Sequence, residues 1–96
     1  MYIKIQSIHF DINQELESFI NSKLDKLISR NESIIQANVI LKLDRAQSED
    51  NKIVEIKLEV TGKDLFAKKQ SNSFEESTDK SIDALNKQLK KIKGKK

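Results

Sequence analysis

The sequence predicts an α+β domain with the element order β-α-β-β-β-α, built as a four-stranded mixed sheet with two parallel helices packed on one face. Three observations carry this reading. Two segments, one after Asn13 and one after Ser73, repeat apolar residues every three or four positions, the period of a helix face. Four other segments alternate apolar and polar residues, as one face of a sheet requires. Short polar connections join the last three strands, whereas a helix joins the first strand to the second, which makes that pair parallel.

Taken in order, Ile3 and Ile5 alternate with Lys4 and Gln6 and make residues 2–9 a strand. Asn13 is placed to cap a helix whose first turn holds Glu15 and Glu17, the charges favoured at that end of the dipole. Leu16, Phe19, Ile20, Leu24, Leu27 and Ile28 form its inward stripe, and Lys23, Lys26 and Arg30 gather towards its end. Ile35, Ala37, Val39, Leu41 and Leu43 are the expected buried side of a long second strand. A polar hairpin connection over 45–52 leads to Val54, Ile56, Leu58 and Val60, the buried side of a third strand. Gly62 fits a tight turn, and Leu65 and Ala67 mark the fourth strand. Ser73 and Glu76 have capping-box spacing, and Phe74, Thr78, Ser81, Ile82, Leu85, Leu89 and Ile92 follow at helical spacing. Glu76 with Lys80, and Asp83 with Lys87, stand four apart, as intrahelical ion pairs do.

The length of 96 residues fits one domain, expected over 1–93, with 94–96 as a basic tail. The absence of proline and cysteine, with only two glycines, points to regular elements and excludes disulfides, thiolate metal sites and thiol nucleophiles. No apolar run approaches the roughly 18–20 residues of a membrane span, and the alternating N-terminus does not resemble a secretion signal. A cytoplasmic protein without membrane contact is the expectation.

The net charge of +3 is unevenly spread. Residues 87–96 hold six lysines and no acid, which leaves the first 86 residues at −3. Lysines at a helix end complement the dipole and aid solubility, so the cluster alone does not define a site. The topology adds the missing step. Strands one, two and four run the same way, each helix returns against the strand before it, and the two helices therefore point in one direction. Lys23, Lys26 and Arg30 then face the same region as Lys87, Lys90, Lys91 and Lys93, with Lys63 at the start of strand four beside them. One basic surface of this kind suits a polyanion.

Catalysis finds little support. His9 is the single imidazole, and its place between strand and helix fits a structural hydrogen bond; no His, Asp or Glu cluster has metal-ligand spacing, and no glycine-rich phosphate loop exists. The expectation is a protein that is not an enzyme and holds no cofactor or metal. Phe10, Phe19 and Phe74 fit the core, which leaves Tyr2 and Phe66 as the outward aromatics. Lysine contact with phosphates, which reads the shape and charge of folded RNA, is the mode that remains.

Over its whole length the chain resembles the short ribosome hibernation promoting factors, also called ribosome-associated inhibitor or sigma-54 modulation proteins. The resemblance is carried by Ser22-Lys23-Leu24-Asp25-Lys26-Leu27, by Val39-Ile40-Leu41-Lys42-Leu43, and by Asp79 followed by the block from Ile82 to Lys93. That block, Ile82-Asp83-Ala84-Leu85-Asn86-Lys87-Gln88-Leu89-Lys90-Lys91-Ile92-Lys93, is similar to the family's Asp-x-Leu, basic-Gln-Leu and lysine-rich pattern. Ahead of that block the chain departs from the family at Ser73-Phe74-Glu75, at Ser77 and Thr78, and at Lys69. The resemblance implies binding to 16S rRNA of the 30S ribosomal subunit near the decoding centre, where tRNA and mRNA are blocked and translation is inhibited in non-growing cells. It implies rRNA contacts by Lys23, Lys26, Lys87, Lys90, Lys91 and Lys93; Arg30, Lys63 and Lys80 rest on the geometry. The chain is expected to be a monomer off the ribosome, and, lacking the extra domain of long members, to need a separate factor for any ribosome dimerisation. Two other readings stay open: a general double-stranded RNA-binding domain, and a protein-interaction module acting on a transcription factor.

Overall fold

The computed structural model describes residues 2–46 and 49–94. Its elements follow the predicted order: β1 (Tyr2–Ser7), α1 (Gln14–Ser29), β2 (Ile34–Leu43), β3 (Lys52–Val60), β4 (Lys63–Ser71) and α2 (Phe74–Gly94). The strands form one sheet in sequence order, with β1 parallel to β2 and the remaining neighbours antiparallel. Lys95 and Lys96 of the expected tail, and Gln47 and Ser48 of the hairpin connection, lie outside the described residues.

Both helices cover the same face. Leu16, Ile20, Leu24 and Leu27 of α1 share one core with Leu85 and Leu89 of α2 and with the inward residues of the sheet. Their common direction is fixed at the start, where Phe10, just before α1, stacks on Phe74, the first residue of α2, with ring centroids 5.1 Å apart and planes 13° from parallel. From there α2 follows β3 and β4. Ser77 Oγ donates to the Lys52 carbonyl at 2.7 Å, Ser81 Oγ to the Val54 carbonyl at 3.5 Å, and Gln88 Nε2 to the Phe66 carbonyl at 3.0 Å. Short hydroxyl side chains at Ser77, Thr78 and Ser81, all fully buried, let the helix lie close to the sheet. Ser77 is also within 2.7 Å of Ser71 Oγ.

The caps explain where the helices begin. Asn13 Oδ1 accepts from the Leu16 N–H at 2.8 Å, as its position predicts. Ser73 Oγ accepts from the Glu76 N–H at 3.1 Å, but the return half of the capping box is absent. The Ser73 N–H bonds to Ser71 Oγ instead, and Glu76 turns outward to Lys80 at 3.1 Å. At the other end of α1, the buried Asn31 donates to the Leu27 carbonyl at 2.8 Å and closes the helix.

Other expectations are corrected. β1 stops at Ser7, and His9 stands exposed with φ 67, where the chain turns towards α1; it makes no hydrogen bond among the described residues. A bulge between Ile34 and Gln36 shifts the face of the first β2 residues, so that Ile34 is 7% exposed and Ile35 56%. At the far end of β2, Leu43 is 41% exposed. Ile92 is likewise exposed, and Asp83 and Lys87 form no ion pair among the described residues. Gly62 takes φ 79 in the two-residue turn that pairs Val60 with Lys63.

Three stability effects follow. Thr78 Oγ1 is buried without a hydrogen-bond partner, so Thr78→Val, which keeps the shape and removes the hydroxyl, should raise stability by about 1 kcal/mol in urea unfolding. Leu85→Ala, at a fully buried site, should lower it by about 2–5 kcal/mol. The third concerns pH. The Gln70 amide and then the Ala46 N–H hold the Asp44 carboxyl below its ordinary value of 3.8 against an opposing desolvation effect, with the Lys68 charge a lesser aid. A carboxyl depressed in the folded state adds stability that is present above its unfolded pKa and is lost as pH falls through the folded one. Acidification below 3.8 should therefore lower the unfolding midpoint of the native chain more than that of Asp44→Asn.

Candidate nucleic-acid interface

The common direction of α1 and α2 gathers both N-termini at one pole and both C-termini at the other. Glu15, Glu17, Glu75 and Glu76 occupy the first turns and give the N-terminal pole its acidity. The opposite pole is basic, and the level at which each lysine sits can be read from one contact between the helices. Lys23 Nζ of α1 lies 3.3 Å from Asp79 of α2, with the ammonium 5.4 Å from the Phe19 ring centre.

Counting from that contact at 1.5 Å per residue brings Arg30 level with residue 86 of α2, and residues 87–91 follow about 2–8 Å further along the axis. Lys26 and Arg30, three and seven residues after Lys23, share its stripe and so line the α1 side of the interhelical groove. On α2, Asp83, Asn86 and Lys90 continue the stripe of Asp79 and line the other side. Lys87 and Lys91 stand on the solvent crest beside it, exposed like Lys26, Arg30 and Lys90. Lys63 reaches the same pole by another route. It has the strand parity of the inward Leu65 and Ala67, and it lies about 10 Å along β4 from Phe66, whose carbonyl Gln88 holds. That places Lys63 beside the last turn of α2.

The predicted residues thus divide. By this count Arg30, Lys87, Lys90 and Lys91 fall within about 8 Å of one another along the helix axis at the basic pole, Lys26 lies about 6 Å before Arg30, and Lys63 stands beside the last turn of α2. Lys23 lies nearer the middle of α1, tied to Asp79, and Lys80 stands on the solvent face towards the acidic pole, tied to Glu76 at 3.1 Å. The Lys93 backbone belongs to the last turn of α2, and its side chain is outside the described residues. Lys26, Lys63, Lys87, Lys90 and Lys91 form no salt bridge among the described residues, which leaves their ammonium groups available to an anion.

Sequence reasoning missed three contributors. Asp79 was legible only as part of a pattern, not as the partner of Lys23 across the groove. Asp83 brings a second carboxylate to the same groove. Gln88 was read as part of the basic-Gln-Leu triplet, whereas its amide pins the basic end of α2 to the edge of the sheet. Among the described residues no group of three His, Cys, Asp or Glu could hold a metal, and no helix is long and apolar enough to cross a membrane.

Comparison with known proteins decides the family. The sequence profile of the sigma 54 modulation protein / S30EA ribosomal protein family matches residues 3–96. The chain belongs to this family. It is 28% identical over 95 residues to a ribosome hibernation promoting factor from Pseudomonas putida, covering 99% of this chain and 89% of that one. Its fold is that of a ribosomal subunit interface protein from Coxiella burnetii, at a TM-score of 0.84 and 23% identity, with 99% and 100% of the two chains covered. The N-terminal domain of Protein Y from Thermus thermophilus is also similar, with a TM-score of 0.80 and 21% identity over 96% and 99% of the two chains.

The groove acids yield a prediction. Asp79→Asn removes a negative charge and releases Lys23, so the variant should elute from heparin at higher salt than the native chain. Its unfolding free energy should change by less than about 1 kcal/mol, since the pair is half exposed.

Proposed function

We propose that this chain is a ribosome hibernation factor that binds 16S rRNA of the small subunit near the decoding centre and excludes tRNA and mRNA. It would thereby hold ribosomes idle in the cytoplasm of non-growing cells. The observation that carries the proposal is the single basic pole made by two parallel helices, in a chain that belongs to the S30EA family. Long-range attraction draws the pole towards phosphates, and the rigid pair of helices then fits a preformed channel of folded RNA. Lys26, Arg30, Lys63, Lys87, Lys90, Lys91 and Lys93 make the phosphate contacts, Lys23 and Lys80 joining them when their carboxylates yield. The protein acts as a monomer by steric occlusion, without chemistry.

Co-sedimentation with 30S, 50S and 70S particles, with and without tRNA, tests this directly. Binding should favour 30S and 70S particles and compete with tRNA. With five or six of these side chains neutralising phosphates at once, the log-log salt slope is about −4 to −5, so affinity should fall by about 10² to 10³ between 50 and 200 mM salt. Lys87→Glu combined with Lys91→Glu should flatten the slope by about 2 and relieve inhibition of translation in a purified system. Salt-independent 30S binding would sink the electrostatic mechanism, and equal affinity for an isolated RNA duplex would favour a general RNA-binding domain.

A further inference from the structure

The outer face of the sheet, turned away from both helices, takes no part in the basic pole. The strand register nevertheless aligns Lys4, Asn38, Lys57 and Phe66 as direct neighbours on four successive strands, a row that crosses the whole sheet. With strands about 4.8 Å apart, the row is about 14 Å long. Phe66 ends it on the edge strand, 53% exposed, and the row borders a shallow hollow floored by Ile40.

Two features give this row the chemistry of a nucleotide site. An aromatic ring left half in water contributes little to folding, yet it offers a stacking platform to any base. The charge balance around it also favours an anion. Each carboxylate of the face already has a partner: Glu55 meets Lys42 at 2.7 Å, Glu59 accepts from the Asn38 amide at 3.4 Å, and Asp64 faces Lys57 at 3.5 Å. Lys4 has no partner among the described residues, and the exposed Lys57–Asp64 pair can exchange its carboxylate for a phosphate.

We propose that this row binds an unpaired RNA nucleotide, its base stacked on Phe66 and its flanking phosphates held by Lys57 and Lys4. The inference rests on the reading of the chain as an RNA-bound factor and assigns its opposite face to a single strand. A duplex hides its base faces within the stack, so only an unpaired nucleotide can use the ring.

The test uses a single-stranded RNA octamer with 2-aminopurine at its centre, whose fluorescence is quenched on stacking. The native chain should quench it, Phe66→Leu should lose the quenching and weaken binding by about 5- to 150-fold, and Phe66→Tyr should restore both. Phe66→Leu should leave the salt slope of 30S binding unchanged, because stacking releases no counterions. Absence of quenching by the native chain, equal binding by Phe66→Leu, or failure of Phe66→Tyr to restore it would overturn the proposal. These outcomes are distinct from failure of the native chain to sediment with 30S particles, which would overturn the ribosomal reading itself.

Discussion

The shared direction of the two helices is the constraint on which the rest of the molecule depends. It follows from connectivity: a parallel β1–β2 pair forces α1 to return against it, and two hairpins later β4 again runs with β1, so α2 returns the same way. The Phe10–Phe74 stack clamps the two starting points together, and the Lys23–Asp79 pair sets the level at which the helices meet. Parallel neighbours align their dipoles, which concentrates partial positive charge at one pole and partial negative charge at the other. Acids in the first turns and lysines in the last offset this, each by about 0.3–1 kcal/mol. The charge gradient is therefore a requirement of the fold before it is a binding surface, and the solvated-charge and polyanion readings describe the same lysines.

The groove between the helices is more mixed than a count of lysines implies. Asp79 and Asp83 sit on its α2 wall, and Asp79 neutralises Lys23 where the helices meet. Attraction for a polyanion is consequently weak at mid-groove and strong at the end, where Lys26, Lys87, Lys90 and Lys91 have no carboxylate partner among the described residues. A molecule with one basic and one acidic pole approaches a field of phosphates end first. The acids thus restrict orientation while leaving the modest net charge of +3 to act from a distance.

What could be read in the sequence was whatever depends on short-range periodicity. The stripe from Leu16 to Leu27, the alternation from Val54 to Val60 and the Asn13 cap are each set by neighbours a few residues apart, and all are present in the fold. The same local logic, once it gave the strand topology, also gave the two helices their common direction. It failed where a distant partner decides. Ile34 replaces Ile35 in the core because a bulge against β3 changes the face, and no periodicity encodes that. Glu76 forsakes its cap because Ser71, brought in by β4, supplies the oxygen that the Ser73 N–H needs. Asp79 and Lys23 meet only because the helices are parallel, so their pairing could not be found by looking four residues away on one helix.

In the proposed function the two faces of the sheet divide two physical tasks that one surface performs badly. Lysines on helices register charge density and the spacing of phosphates, but a phosphate looks alike in every RNA, so such contacts raise affinity without discriminating among folded RNAs. Discrimination then has to come from rigidity. Helices packed about 8–10 Å apart, joined at their starts by the aromatic stack and with α2 held to β4 by Gln88 further along, offer fixed lines of positive charge that only a matching channel can meet at every contact. A stacking ring on the reverse face would add a condition of another kind, an unpaired base within reach of the sheet while the pole is seated. Because stacking is indifferent to salt and phosphate contact is not, the two conditions weigh differently as ionic strength changes, and the seated complex is selected most sharply where non-specific attraction is screened.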